Sequence, residues 1–492
     1  MEVLPEISVL SRPLLSVASH GEQTAPPLRR MLGTVSLAWM FGSVYAMTTT
    51  SQAITVFADK LGASNFQFGL LTAIPFLAAL LSVPGAVLSE CLGRCKPVFL
   101  NSFYVQRGLW FLIALVPIWI LTHPNFLSPG CALTCFLWLL FAAHASGSVG
   151  VPSYISWMGD VVPSRIKGNY FARRRQLGNL TALPAAVFVG WLLDRQAGNS
   201  NLAVLITCAI LFGCSAICGL TDIHLFQFVP PTPRPTKRLG DVIGAFRQPL
   251  RDKAFLRFSF VIGWLTFAIN LFGQFATLYL IERAGASNLS AQLILVAAPM
   301  GAQLVVFRAW GKAADRIGKR PLIIVAAIGL IPVSIGWCFV GASTLWLAYI
   351  LSALTAALWA AIEVVNLNLV LEASSDSRAA GGCYAAVNTV IVNVAGCLGG
   401  LGAGFVAQAL EHWTWRPIAS MRSLNYFDVL FGLSGVLRAV AFALVLLMVV
   451  EPRAKTIGQL FSSTINWIKQ AGLMLPLKLH QARGNSELEG TV

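Results

Sequence analysis

Twelve apolar runs of about 20 residues, parted by short charged stretches, constrain this chain more than any other feature. A helix of about 20 apolar residues crosses the hydrocarbon core of a bilayer. The runs lie at roughly 34–57, 66–89, 97–121, 131–158, 175–193, 202–222, 255–282, 288–310, 321–341, 345–371, 379–410 and 427–450. Of 492 residues, 56% are hydrophobic and 11% charged. A soluble domain carries about twice that charged fraction. Within lipid, each backbone N–H and C=O must bond inside its own segment, so runs of this length become helices. The expectation is an all-α membrane protein with twelve transmembrane helices.

The net charge of +15 does not point to nucleic acid, because the excess sits in the connections between apolar runs. An even number of spans puts both termini on one side. That side carries 28 Lys and Arg and the other carries five, with Arg107 and Arg438 inside spans. Positive charge marks the cytoplasmic side, so both termini are expected there, in a plasma (inner) membrane. Residues 1–30 contain no basic region followed by an apolar core, so no cleavable signal peptide is expected.

The longest internal polar stretch, 223–254, contains Pro230-Pro-Thr-Pro-Arg-Pro235 and six Lys and Arg. Proline-rich sequence stays extended, so it reads as a cytoplasmic linker with a short amphipathic helix near 239–250. The chain then divides into a tail (1–33), a six-helix bundle (34–222), the linker, a second bundle (255–450) and a cytoplasmic end (451–492). Residues 453–475 place Ile457, Leu460, Phe461, Ile465 and Ile468 on one helical face. That pattern suits a helix lying on the membrane surface. The ten cysteines are scattered, mostly within apolar runs, with no metal-type spacing.

Gly311-Lys-Ala-Ala-Asp-Arg-Ile-Gly-Lys-Arg-Pro321 sits between spans eight and nine and reads as a tight, charged turn. Gly85-Ala-Val-Leu-Ser-Glu-Cys-Leu-Gly-Arg-Cys-Lys-Pro97, after span two, is a degraded copy, with Glu90 for the acid, then Gly93 and Arg94. After span four, Asp160 is followed by Arg165, Gly168 and Tyr170; after span ten, Glu372 is followed by Arg378, Gly382 and Tyr384. The same marks thus recur at matching places in two six-span halves. This arrangement resembles the major facilitator superfamily. The resemblance implies two pseudo-symmetric six-helix bundles that rock about a central path lined by spans one, four, seven and ten. It also implies a conformational gate formed by Gly85, Glu90, Gly93, Arg94, Gly311, Asp315, Arg316, Gly318, Lys319 and Arg320. Asp315 would face the start of span five near Arg173–Arg175. The glycine-proline pattern in span five and the span-four arginine of many drug/proton exporters are both missing.

Polar groups inside spans are costly and need a reason. Glu363 in span ten is the one carboxylate placed well within a span, and it is the first candidate for substrate binding or proton coupling. His144 in span four is the second, since imidazole exchanges protons near neutral pH. Tyr45 and Gln52 in span one, Asn270 and Gln274 in span seven, Asn366 in span ten and Asn388 in span eleven are candidate substrate contacts. Hydroxyls in these spans alternatively bond back to their own helix. Arg107 and Arg438 read as structural, tied to carbonyls or another span. Two buried guanidiniums facing one Glu363 still leave a charge to neutralise, and an anionic substrate or Asp160 would serve.

The chain has no Gly-x4-Gly-Lys-[Ser/Thr] and no His-Glu-x-x-His, so neither an ATP cradle nor a zinc protease site is expected. No enzyme activity, cofactor or metal is expected. The resulting expectation is a secondary transporter, monomeric, moving a small solute of an anionic or amphipathic class with proton coupling. The alternative is a non-transporting protein on the same scaffold that handles lipid or pigment or acts as an assembly partner.

Overall fold

The computed structural model describes residues 28–122, 129–163, 165–232, 234–375, 381–416 and 423–448. The tail before Leu28 and the surface helix expected at 453–475 lie outside the described residues. Among the described residues, twelve helices are long and apolar enough to cross a membrane. Spans one to six are Leu28–Lys60, Asn65–Leu92, Cys95–Ile120, Gly130–Val161, Tyr170–Arg195 and Asn201–Phe228. Spans seven to twelve are Lys253–Arg283, Asn288–Ala314, Lys319–Phe339, Ala342–Ala373, Gly382–Ala409 and Tyr426–Met448. The fold class expected from the apolar runs is the one found.

Several spans are broken where the sequence weakens the helix. Span one divides at Thr50–Ser51, where the Ser51 hydroxyl caps the next segment by accepting from the Ala53 N–H. Span two divides at Leu80–Leu81, just before Pro84. Span seven breaks at Leu271–Gln274, where Gly273 has φ +29, a conformation that favours glycine. Tyr279–Arg283 and Leu293–Ala297 widen into π-type turns.

The charged turn expected at 311–321 is mostly helix. Span eight's helix continues to Ile317, and the reversal is made by Gly318 alone, at φ +100, before the next helix starts at Lys319. Lys-Ala-Ala-Asp-Arg is a run of mostly good helix formers, so one glycine at Gly311 does not end it. Span six likewise runs on to Phe228 rather than stopping near residue 222.

The segment after span six is strapped to the first bundle. The Lys96 Nζ donates to the carbonyls of Gln227 and Val229, both at 2.7 Å. The Trp157 indole donates to Pro230 O at 3.1 Å. The Arg234 N–H reaches Gly93 O and the Lys237 N–H reaches Glu90 O. Two short helices, Leu239–Ala245 and Arg247–Arg251, then lead into span seven. We call this end of the bundles the linker side and the opposite end the far side.

Candidate functional site

The two bundles pack on each other from the far side to about mid-span, chiefly through spans two and eleven. A Cβ at Gly69 would collide with the Gly404 Cα, and one at Gly400 would stand 2.8 Å from the Ala73 N. Only glycines permit backbones this close. Polar groups complete the far-side closure. Gln52 Nε2 donates to Asn288 Oδ1 at 2.6 Å, and the Thr55 hydroxyl donates to Gln274 Oε1. The Gln274 N–H, freed by the break in span seven, donates to the Thr72 hydroxyl at 3.1 Å. The Asp194 carboxylate accepts from the N–H groups of Asn288 and Leu289 at 2.6 and 3.0 Å. It caps the positive N-terminal end of span eight from across the bundle boundary.

Among the described residues, the packing between bundles thins toward the linker side to a few residues of spans two and eleven. Glu363, Leu367 and Leu371 are exposed at helical spacing on span ten. Arg175 of span five acts electrostatically on Glu363, and the Trp359 indole lies one turn back beside the carboxylate. That stripe therefore looks toward the first bundle. Arg175 also reaches toward span eight, its guanidinium 5.2 Å from the Phe307 ring centroid. Glu363 of span ten and Arg175 of span five thus lie within electrostatic reach of each other, with Phe307 of span eight beside the guanidinium.

Gln52 and Gln274, expected as substrate contacts, are in this conformation closure residues. Tyr45 is 4% exposed, and its ring lies 3.5 Å from the Arg107 guanidinium; it points into the first bundle, away from any path. Asn270 donates to Thr266 O of its own helix. The hydroxyls of Thr48, Thr49, Thr50 and Ser51 likewise return to carbonyls about one turn back. Asn366 and Asn388 each keep an amide oxygen without a partner among the described residues. His144 is half-buried in span four, with no hydrogen bond or ion pair among the described residues.

The two intramembrane arginines each bind another span, but neither does so through Glu363 or Asp160. Arg107 pairs with Asp222, not with Glu363 or Asp160. Asp222 is a carboxylate buried within the first bundle, although its charge marks an apparent span end in the sequence. Asp160 instead takes a two-pronged contact from Arg234, at 2.6 and 2.7 Å. That contact holds the Arg234 guanidinium above its usual range. Arg438 donates to Leu330 O at 2.9 Å and meets no carboxylate among the described residues.

Of the gate residues, Gly85 lets span two close on span four, since a Cβ there would collide with Val149 O. Glu90 accepts from the Lys237 ammonium at 3.1 Å, and Gly93 ends the helix at φ +61. Arg94 is exposed. Gly311 has no neighbour within 4 Å of a built Cβ. Lys319 pairs with Glu372, and Arg320 donates to Leu446 O at 3.2 Å. The side chains of Asp315 and Arg316, and with them the expected contact to Arg173–Arg175, lie outside the described residues. Sequence reasoning misses Asp194, Thr55, Thr72 and Asn288. Asn288 at a helix start reads as a local cap, Thr55 and Thr72 within helices read as hydroxyls bonding back to their own turn, and nothing local announces a partner in the other bundle.

A family model described as Major Facilitator Superfamily matches residues 36–400. The chain belongs to this family. Major facilitator structures resemble it throughout. A bacterial homologue of the human lysosomal transporter Spinster, inward-facing and unoccupied, shares 15% identity at a TM-score of 0.62, covering 87% of this chain and 98% of that one. A mutant form of the nucleoside transporter NupG shares 13% at 0.61, covering 86% and 100%. The inward-open xylose transporter XylE from E. coli shares 15% at 0.59, covering 89% and 99%. No curated protein matches. At these identities the major facilitator fold is what the neighbours share with this chain.

Proposed function

We propose that the protein is a secondary active transporter that carries a small solute by alternating access, here with its far side closed and its linker side open. The asymmetry of the packing between bundles among the described residues carries this reading: glycine-paved backbone contact and the Gln52–Asn288 and Asp194–Asn288 bonds on one side, a thin contact on the other. A solute path needs closure at one end at a time, and bonds made in only one state set the balance between states. On charge bias, the linker side is cytoplasmic. This state is then inward-facing, the conformation recorded for the Spinster homologue and XylE structures. The path lies within one chain, so the working unit is a monomer in the plasma (inner) membrane. Glu363 is the proton-coupling group: it stands at the opening, and Arg175 answers its charge from the other bundle.

The test is side-specific labelling in sealed vesicles, on a background without native cysteines. Leu367→Cys should react with an impermeant thiol reagent from the cytoplasmic side only. Adding Asp194→Ala, which removes the cap on span eight, should slow that labelling and open far-side positions. Labelling of Leu367→Cys from both sides together, or no reciprocal change, overturns alternating access.

A further inference from the structure

The break in span seven borders a recess of about 300 Å³ inside the second bundle. Phe272, Trp337 and Trp359 supply aromatic walls, and Ile269, Leu295 and Pro299 supply aliphatic ones. Among the described residues, Arg438 is the one charged side chain lining it. That residue is 2% exposed. One guanidinium nitrogen donates to Leu330 O, and the guanidinium carbon lies 5.3 Å from the Phe272 ring centroid. Its Nε has no hydrogen-bond partner among the described residues. No carboxylate pairs with Arg438 among the described residues, whereas Arg107 in the other bundle has Asp222.

The two hydroxyls in the recess are already committed. Ser352 donates to Ile294 O at 2.5 Å and Thr355 to Leu351 O at 2.7 Å. The recess therefore offers one cation set in an otherwise apolar, largely aromatic wall. A buried guanidinium without a counter-charge is costly, and an anion that also fills apolar space would offset that cost. An apolar cavity of roughly half this volume accommodates a benzene ring, so the space suits a bicyclic or comparably sized body. Trp359 lines the recess and lies one turn from Glu363, so the recess adjoins the opening between the bundles.

We propose that this recess binds a small organic monoanion, a carboxylate on an aromatic or branched apolar body, with Arg438 as its counter-ion. The proposal names the solute class of the transporter proposed above and rests on that reading only for the movement of the bound anion across the membrane. Equilibrium binding needs no transport, so the two readings fail separately.

The probe is naphthoate, added to the purified full-length protein in nanodiscs, with binding followed by tryptophan fluorescence and thermal stability. Saturable binding is expected for naphthoate and not for naphthamide, which has the same body without the charge. Removing one member of a buried charge pair should weaken binding roughly thirtyfold in Arg438→Gln, with part of the affinity kept in Arg438→Lys. Because Arg438 also holds span nine, Thr355→Phe provides a second variant that leaves the guanidinium in place. It should fill the recess and abolish naphthoate binding in protein that stays monodisperse. Equal binding of naphthamide, competition by chloride as strong as by naphthoate, unchanged binding in Thr355→Phe, or no saturable naphthoate binding to the parent protein would each overturn the proposal.

Discussion

Arg107 and Asp222 form an ion pair inside the first bundle, 3.4 Å apart, with side chains only 6% and 7% exposed. Two glycines make the room. A Cβ at Gly42 would stand 2.5 Å from an Asp222 oxygen, and one at Gly219 would stand 2.5 Å from the Arg107 Cδ. Tyr45 lies against one face of the guanidinium, and Gln106 accepts from it at 2.7 Å. Arg174, 8% exposed and 4.5 Å from the Trp39 ring centroid, adds a second cation acting on Asp222. Spans one, three, five and six are thus joined around one carboxylate.

Asp222→Asn should be strongly destabilising, because it leaves Arg107 buried without its counter-charge. Breaking a buried pair from one side costs about 3–5 kcal/mol, whereas replacing both partners with apolar groups is often near neutral. Thermal unfolding in detergent should therefore show a large loss for Asp222→Asn and a smaller one for the double variant Arg107→Met, Asp222→Leu. Equal losses would mean that the pair contributes through packing alone.

Gly69→Ala should move the population away from the far-side-closed state. Its methyl group cannot share space with the Gly404 backbone that lies against it, so span two must retreat from span eleven. Spin labels at Ser64 and His412, one on each bundle's far side, should report a longer distance in the variant. A distribution identical to the parent's would show that the helices adjust locally without opening.

The number of spans is legible in the sequence because length and apolarity are local properties of the chain. The family is legible because Gly-x-x-x-Asp-Arg-x-Gly-Lys-Arg is a contiguous pattern. The interior charge pair is not, and the reason is specific. Charge is the signal that ends spans, so Asp222 reads as the close of span six despite the apolar Ile223, Leu225 and Phe226 beyond it. Gln52 and Gln274 stand out as polar residues in spans. Their partners, Asn288 and Thr55, lie 236 and 219 residues away. No periodicity in one helix specifies which residue of another bundle will face it. Arg438 stands out too, but its recess is built by five spans and has no footprint in local sequence.

The strap after span six should be protected by the Asp160–Arg234 contact. That contact is bidentate and charge-assisted, and Arg234 also donates to Ser156 O at 3.1 Å. Both side chains are about a third exposed, so solvent screens much of the attraction. Asp160→Asn should speed tryptic cleavage after Lys237 or Arg238 by roughly two- to fivefold, the range expected for a partly exposed pair. A cleavage rate equal to the parent's would leave the backbone bonds to Gly93 and Glu90 as what holds the strap.

Glu363 and Arg175 should make the conformational balance depend on pH. They sit on opposite bundles at the linker-side opening, so closing that side shortens the distance between them. Ionised Glu363 attracts Arg175 and favours closure; protonated Glu363 does not. Raising the pH through the titration of Glu363 should therefore shift the population toward the linker-side-closed state, and lowering it should favour the open state. Glu363→Gln holds the site permanently uncharged. A fluorophore pair across the opening should report a pH-dependent distance in the parent protein and a flat, open-state distance in Glu363→Gln. Arg175→Gln should also be flat, since it removes the other half of the attraction while leaving the carboxylate free to titrate. If Glu363→Gln responds to pH as the parent does, the coupling group lies elsewhere, and His144 in span four is the next residue to replace.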